Sequence, residues 1–485
     1  MASGLAPMMA RLGISAASLP DPMARALKAA RNLVVDPPPR NATLRIVGVA
    51  ADGEHLTLRY EARKRPYVHT VTLAPGLGLD HLPATLREDL LLALALATAP
   101  HLFVLTDFAT VRADVGSLTA AQRSFWAWYL RGGLGEFRYH QGLDPSRHIE
   151  VVAPDRPSRD AIDLPEPREA AIVLNGGGKD TIVAAELVRA IGMPFEWMSN
   201  NPVRAMRDVV AAAPACPSHE VRFSRDADAK RDGRYDRRHV PHVAAYLMLG
   251  VLTALARGCR YVIVGNERSA DFGNVHVNGV EVNHQFSKSY DFEAAFQAHV
   301  CDALALPVHA FSILRPFYEV RLAQIVSRRP EYFDAFVSCN RQGAESVWCG
   351  DCPKCAFIAL ALGPFLDLSD LRRIFGFDVV SRPAIRRHWL ALVREGVKPW
   401  ECVGTKDESR LALALLLKRH GDLEFAEPPT RSDLEAEVHG IDIATARATF
   451  VEGFHEPHGI PSHLTPAVRA AADRLLGDAQ REPAT

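Results

Sequence analysis

A chain of 485 residues is too long for one ordinary hydrophobic core and suggests about three domains. Lys plus Arg number 56 against 57 Asp plus Glu, a formal charge of -1, so no global basic field exists to hold a nucleic-acid backbone. With 48% hydrophobic and 23% charged residues the composition is that of a folded globular protein, and its longest apolar run, residues 86–99, falls short of the roughly 20 needed to cross a bilayer.

Residues 1–40 read as an N-terminal extension. Its first 19 carry no continuous apolar stretch behind a basic start, which predicts a cytoplasmic protein with no membrane partner. Residues 43–49, 55–61 and 67–73 are short β-rich runs, with Asp52-Gly53 as the first turn, and predict an antiparallel meander. The apolar run 86–99 predicts a buried helix. Thr119 with Gln122 three residues on is a capping box that opens another helix, and Phe125, Trp126, Trp128 and Tyr129 on it are expected to pack against the meander. Residues 41–153 thus read as an α+β domain.

Four prolines between 154 and 167 interrupt both helix and strand, so 154–169 is expected to be a linker. After it, apolar runs at 170–174, 195–198, 220–223 and 261–265 alternate with helical stretches at 181–191, 203–213 and 239–257. Strands so apolar are buried on both faces, which predicts a parallel doubly wound α/β sheet with its ligand at the strands' C-terminal ends. The five basic residues of 230–238 are broken by Asp232 and Asp236 and read as a solvated loop. From 368 to 476 the chain is expected to be helical, broken by a loop at 399–405. A second capping box, Thr405 with Glu408, follows, and 477–485 is a polar tail.

The first apolar strand of the second region runs into Asn175, Gly176, Gly177, Gly178, Lys179, Asp180 and Thr181, then a helix. Glycines let backbone N–H groups approach an oxyanion, and a helix start adds positive potential, so a phosphate is the expected occupant. Lys179 offers a full charge and Thr181 a hydroxyl, while Asp180 suits Mg²⁺ or an anchor for the loop. The pattern is neither a Walker A loop nor a Rossmann fingerprint. It resembles the SGGxDS signature of PP-loop ATP pyrophosphatases (adenine nucleotide alpha hydrolase-like), with Gly176 and Thr181 at the two serine positions. That resemblance implies a PP-loop ATP-binding domain over 170–367 that grips pyrophosphate during adenylation.

Cys349, Cys352 and Cys355 are spaced CxxCxxC, with Cys339 ten residues upstream. Four thiolates in this pattern suit tetrahedral Zn²⁺ in a structural role. The alternatives are an iron–sulfur cluster, for which the ferredoxin Cys-Pro ending is missing, and four buried free cysteines. PP-loop enzymes that make 7-cyano-7-deazaguanine carry a similar cysteine pattern.

Three further loops are dense in polar groups: Asn266, Glu267, Arg268 and Ser269; Asn283, His284, Gln285, Ser287 and Lys288; and the segment 311–316 with Arg315. Such loops suit a multiply anionic substrate rich in hydrogen-bonding groups. Together with the glycine loop, the cysteine cluster and Pro399 to Thr405, they resemble the MurL family of UDP-N-acetylmuramoyl-L-alanyl-L-glutamate epimerases over about residues 43–415. The resemblance implies ATP- and Mg²⁺-dependent epimerisation of the terminal glutamate of a UDP-muramoyl-dipeptide through an acyl-adenylate, with AMP and diphosphate as products. Candidate proton-transfer groups are His284, Lys288 and Cys402; each also has a bland reading, as a substrate-binding group or a buried small side chain. Glu267, Asp271 and Asp291 are candidates for Mg²⁺ or the ribose. The alternatives are an adenylating ligase acting on a nucleobase or tRNA, which the neutral charge disfavours, and a zinc-stapled nucleotide-binding regulator that turns nothing over.

Overall fold

The computed structural model describes residues 28, 41–158, 163–236, 240–341, 343–394 and 396–477. Residue 28 apart, the extension therefore lies outside the described residues, as does most of the polar tail.

The first strands are β1 (Thr43–Asp52), β2 (His55–Ala62) and β3 (Arg65–Thr72), paired antiparallel in succession as the meander predicts. Alternation explains them: in β2 the side chains of Leu56, Leu58 and Tyr60 are fully buried while their neighbours reach outward. Two strands not foreseen, β4 (Thr110–Ala113) and β5 (Glu150–Val152), extend this sheet in parallel from β1.

Beyond residue 167 come β6 (Arg168–Asn175), β7 (Phe195–Asn200), β8 (Ser218–Ser224) and β9 (Cys259–Val264). They are followed by a small hairpin of β10 (Val275–Val277) and β11 (Val280–Val282), then β12 (His309–Ser312). The order β12-β9-β6-β7-β8 is parallel throughout. β8 then pairs antiparallel with β3 through Val71 and Phe223, so one ten-stranded, mostly parallel sheet takes strands from both sides of the proline-rich segment.

Helices cover both faces of its parallel half. Ala171 and Val173 of β6 and Tyr261 and Ile263 of β9 join one core with the Lys179–Ala190, Glu319–Ser327 and Pro353–Leu362 helices. Ala170, Ile172 and Val262 face the other core, with the Ala84–Thr98 and Val243–Arg257 helices. Burial on both sides is why these strands read as unbroken apolar runs. The Ala84–Thr98 helix has 11 buried residues, and no helix among the described residues is long and apolar enough to cross a membrane.

Both predicted capping boxes form, at Thr119–Gln122 and Thr405–Glu408. The rings after Thr119 take partners other than the expected meander strands: Phe125 stacks on His299 at 4.5 Å and Trp128 meets Phe286 at 4.9 Å, because the 286–303 segment covers that helix face. The residues from 368 onward are helical, from Leu368–Phe375 to Thr465–Leu476, and Trp389 Nε1 donates to Ala356 O at 2.8 Å, seating them on the Pro353–Leu362 helix. Of the basic segment 230–238, residues 230 and 231 end a short helix and Asp232 accepts from Arg65; 237 and 238 lie outside the described residues.

Candidate active site and metal centre

β6 delivers the glycine loop to the C-terminal edge of the sheet. Gly177 has φ +72, and a Cβ there would lie 2.9 Å from Met206 N, so only glycine fits the turn. The loop is tied at every step. Gly176 N donates to Thr181 Oγ1 at 2.9 Å and Gly177 N to Asn175 Oδ1 at 2.9 Å, while Asn175 Nδ2 donates to Ser199 Oγ and Met206 O. From outside, Lys179 N donates to Ser338 Oγ at 3.1 Å and Val337 N to Gly177 O at 3.0 Å. The Lys179–Ala190 helix starts at Gly178 without a side-chain cap, leaving its first turn to be satisfied otherwise.

The loop opens on a cavity of about 320 Å³. Gly176, Gly178, Asp180 and Thr181 form one wall, and Asn266, Glu267, Lys288, Lys354 and Cys402 belong to the others. Of the residues expected to meet phosphate, Lys179 stands apart: its ammonium is fully buried and pairs with Asp180 and with Glu319, 140 positions away. Burial opposes that charge, but Asp180, Glu319 and Glu267 raise its pKa above the ordinary lysine value. Burial likewise pushes the Glu319 carboxyl well above the usual carboxylate range, with Lys179 pulling against it. The cations that line the cavity are Lys288 and Lys354.

Lys288 and Cys402 come together. Lys288 Nζ donates to Cys402 Sγ at 3.4 Å, and the thiol sulfur, outweighing burial, raises the lysine pKa above its ordinary value. Glu267 is buried beside them; burial would raise its carboxyl, but Lys288, Lys354 and Lys179 hold it down at about 2, so it is an anion. A carboxylate, an ammonium and a thiol thus share one wall, which suits binding a cation–phosphate pair and moving a proton.

The other residues singled out from the sequence hold this wall in place. Arg315 is fully buried: Nη1 donates to Glu267 O at 2.9 Å and Nη2 to Lys288 O, and the guanidinium pairs with Asp271 and Glu293. It clamps the two loops and does not line the cavity. Asn283 bridges Ala270 O and Gln285 N, and Gln285 Nε2 donates to Glu267 Oε1 at 3.2 Å. Ser269 Oγ donates to Glu408, and Arg268 Nη2 donates to Glu456 O at 2.6 Å. The Ser287 hydroxyl is buried, and Asp271 accepts from Tyr290 N. Asp291 is exposed at the start of the Tyr290–Ala298 helix. His284 lies behind the wall, Nδ1 2.9 Å from Asn274 Oδ1, and burial pulls its pKa down to about 4.

Reading residues singly missed Glu319, Ser338 and Asn200. Only Ser338 left a signal, as the neighbour of Cys339; Asn200 is the last residue of an apolar strand, and Glu319 matters only through a partner far away in sequence.

The four cysteines do converge. Cys339, Cys349, Cys352 and Cys355 place their sulfurs within 4.8 Å of one another, at 4.0 Å for Cys339–Cys352 and 3.7 Å for Cys349–Cys355. Tetrahedral thiolates about 2.3 Å from one ion lie roughly 3.8 Å apart, so the cluster can hold a metal ion. Backbone N–H groups of Arg341, Asp351 and Cys355 donate to the sulfurs of Cys339, Cys349 and Cys352 at 3.3–3.4 Å, which fixes their orientation. The cluster also borders the cavity, because Cys339 follows Ser338 and Lys354 stands between Cys352 and Cys355.

Comparison with known proteins agrees over most of the chain. Residues 38–313 match the MurL N-terminal domain and residues 335–439 the MurL C-terminal domain. A UDP-N-acetyl-alpha-D-muramoyl-L-alanyl-L-glutamate epimerase of Xanthomonas oryzae pv. oryzae is 31% identical over 448 residues, 88% of this chain and 97% of the relative. A protein of the same name from Micromonospora sp. is 33% identical over 76% of this chain and 80% of its own length. One from Salinispora tropica is 33% identical over 60% and 65%. No solved structure matches the chain.

Proposed function

Since this chain belongs to the MurL family, we propose that it inverts the terminal L-glutamate of UDP-N-acetylmuramoyl-L-alanyl-L-glutamate to D-glutamate, for peptidoglycan precursor synthesis, at the cost of ATP. The observation that carries this reading is that the glycine loop and the Lys288–Cys402 pair open on one cavity at the C-terminal edge of the parallel strands. The strand, glycine turn and helix start fit a PP-loop domain.

The chemistry follows from charge. An α-hydrogen beside an ionised carboxylate is hardly acidic, because its removal puts a second negative charge on the same unit. Attack of the α-carboxylate oxygen on the α-phosphorus of ATP forms an acyl–phosphate bond and releases pyrophosphate, for which the Gly178 N–H and the uncapped start of the Lys179–Ala190 helix are the donors. The activated acyl group then loses its α-proton, and the enolate oxygen is stabilised by a donor of the site. Return of a proton to the opposite face gives the D centre, and water cleaves the acyl–phosphate bond to release AMP.

We assign Lys288 and Cys402 to proton transfer. Groups 3.4 Å apart cannot flank a planar carbon, so they serve one face together. His284, turned to Asn274, positions that wall. Asp180 and Glu267, the carboxylates bordering the cavity, would hold Mg²⁺, which supplies countercharge to the phosphates. Cys339, Cys349, Cys352 and Cys355 would hold a structural Zn²⁺.

The test is incubation with ATP, Mg²⁺ and the UDP-muramoyl-dipeptide, followed by acid hydrolysis and chiral amino-acid analysis. D-glutamate and equimolar AMP are expected. Failure to form D-glutamate refutes the epimerase, and ATP binding without pyrophosphate release would return the chain to the class of nucleotide-binding regulators.

A further inference from the structure

One polar side chain of the cavity has no use in the chemistry above. Asn200, the last residue of β7, is 7% exposed and lines the cavity, yet neither its amide nitrogen nor its amide oxygen has a hydrogen-bond partner. Tyr246, whose hydroxyl lies beside it, does not complete a bond to it. A buried amide left open forfeits its hydration without compensation, so such a residue is kept where a ligand meets it.

Its surroundings define the ligand. Asn200 shares its end of the cavity with Met198, Met206, Val243 and Tyr246, two flexible thioethers and two flat or apolar faces that suit a planar ring. This end adjoins the phosphate loop directly, since Met206 N is 2.9 Å from the Cβ position of Gly177. The next residue, Asn201, is locked by Nδ2 donating to Phe223 O and Oδ1 accepting from Phe223 N, both at 2.9 Å, so the backbone presenting Asn200 is fixed.

We infer that Asn200 is the base-reading residue of the nucleotide site, its amide oxygen accepting from the 6-amino group of adenine and its amide nitrogen donating to N7. A donor and an acceptor side by side match adenine's edge, whereas a 6-oxo purine presents two acceptors on the same edge. The assignment rests on the ATP reading and adds to it which group discriminates the base.

The test is titration calorimetry of the full-length protein with Mg²⁺-ATP and with Mg²⁺-inosine triphosphate, which replaces the 6-amino group by oxygen. The wild-type chain should bind ATP at least about tenfold more tightly. Asn200→Leu, which removes both polar atoms at similar volume, should weaken ATP binding and bring the ratio to within about threefold. Asn200→Asp keeps the acceptor for the amino group, so its preference for ATP should persist. Because each ratio is measured within one variant, a general loss of affinity or fold does not mimic the result. ATP bound by the wild-type chain with the ratio unchanged in Asn200→Leu, or with no preference in the wild type, overturns the assignment alone. No ATP binding by the wild-type chain overturns the nucleotide reading along with it.

Discussion

Lys288 Nζ and Cys402 Sγ lie 3.4 Å apart although 114 positions separate them in sequence. Each wall of the contact is fixed from behind: Arg315 donates to Lys288 O, and the capping box at Thr405 and Glu408 starts the helix just after Cys402. The contact puts an ammonium and a sulfur side by side at one point of the cavity wall, within reach of the same proton.

Removing that sulfur should therefore separate activation from proton transfer. Cys402→Ala is expected to lower α-proton exchange with D₂O, and D-glutamate formation with it, by about 100- to 10,000-fold. Exchange of labelled pyrophosphate into ATP in the presence of the dipeptide substrate should continue. Loss of both together would place Cys402 in nucleotide binding instead.

The Lys179–Glu319 pair is predicted to act through stability. Lys179→Met leaves Glu319 in the core without its main countercharge, which should cost about 3–5 kcal/mol in urea unfolding. The double variant Lys179→Met/Glu319→Gln, which removes both members of the pair and leaves the neighbouring Lys354 facing the Glu267 carboxylate, should recover most of it. Equal losses in the single and double variants would show that the ion pair itself carries little.

Metal removal should reach the phosphate loop. Cys339 adjoins Ser338, which holds Lys179 N, and Val337, which holds Gly177 O. Cys352→Ala, or chelation of the bound ion, is expected to lower the thermal midpoint and abolish ATP binding together, with metal content followed by atomic emission. Retention of ATP affinity by metal-free protein would uncouple the two sites.

Acid should destabilise the fold through buried histidines. Burial pulls His69 and His284 down to about 4 and His299 to about 3, against an ordinary 6.5. Below pH 6.5 the unfolded chain takes up protons that the folded chain refuses, so this stability is present above 6.5 and is lost as the pH falls toward 4. His299→Phe keeps a ring against Phe125 and should give a shallower fall of the thermal midpoint over that range, read by differential scanning fluorimetry.

Local chemistry was legible in the sequence. Residues 175–181 spell a turn between a buried strand and a helix, because glycine spacing and apolar runs are local causes with local effects. The two capping boxes formed where Thr119 and Thr405 placed them, and the CxxCxxC spacing with Cys339 brought four sulfurs together, since each is set within one short segment of chain.

Only the tertiary structure decided which side chains face the cavity. From the sequence, Lys179 is the natural phosphate ligand; in the fold, Glu319 and Asp180 take its charge, and Lys288 and Lys354 stand at the wall. The pairing of β3 with β8, the Lys288–Cys402 contact and the open amide of Asn200 all depend on segments far apart in the chain. Residue type and spacing record what a segment can do alone. Direction and partnership are set when the sheet and its two helix layers close, because burial makes each polar group find whichever partner that packing brings near.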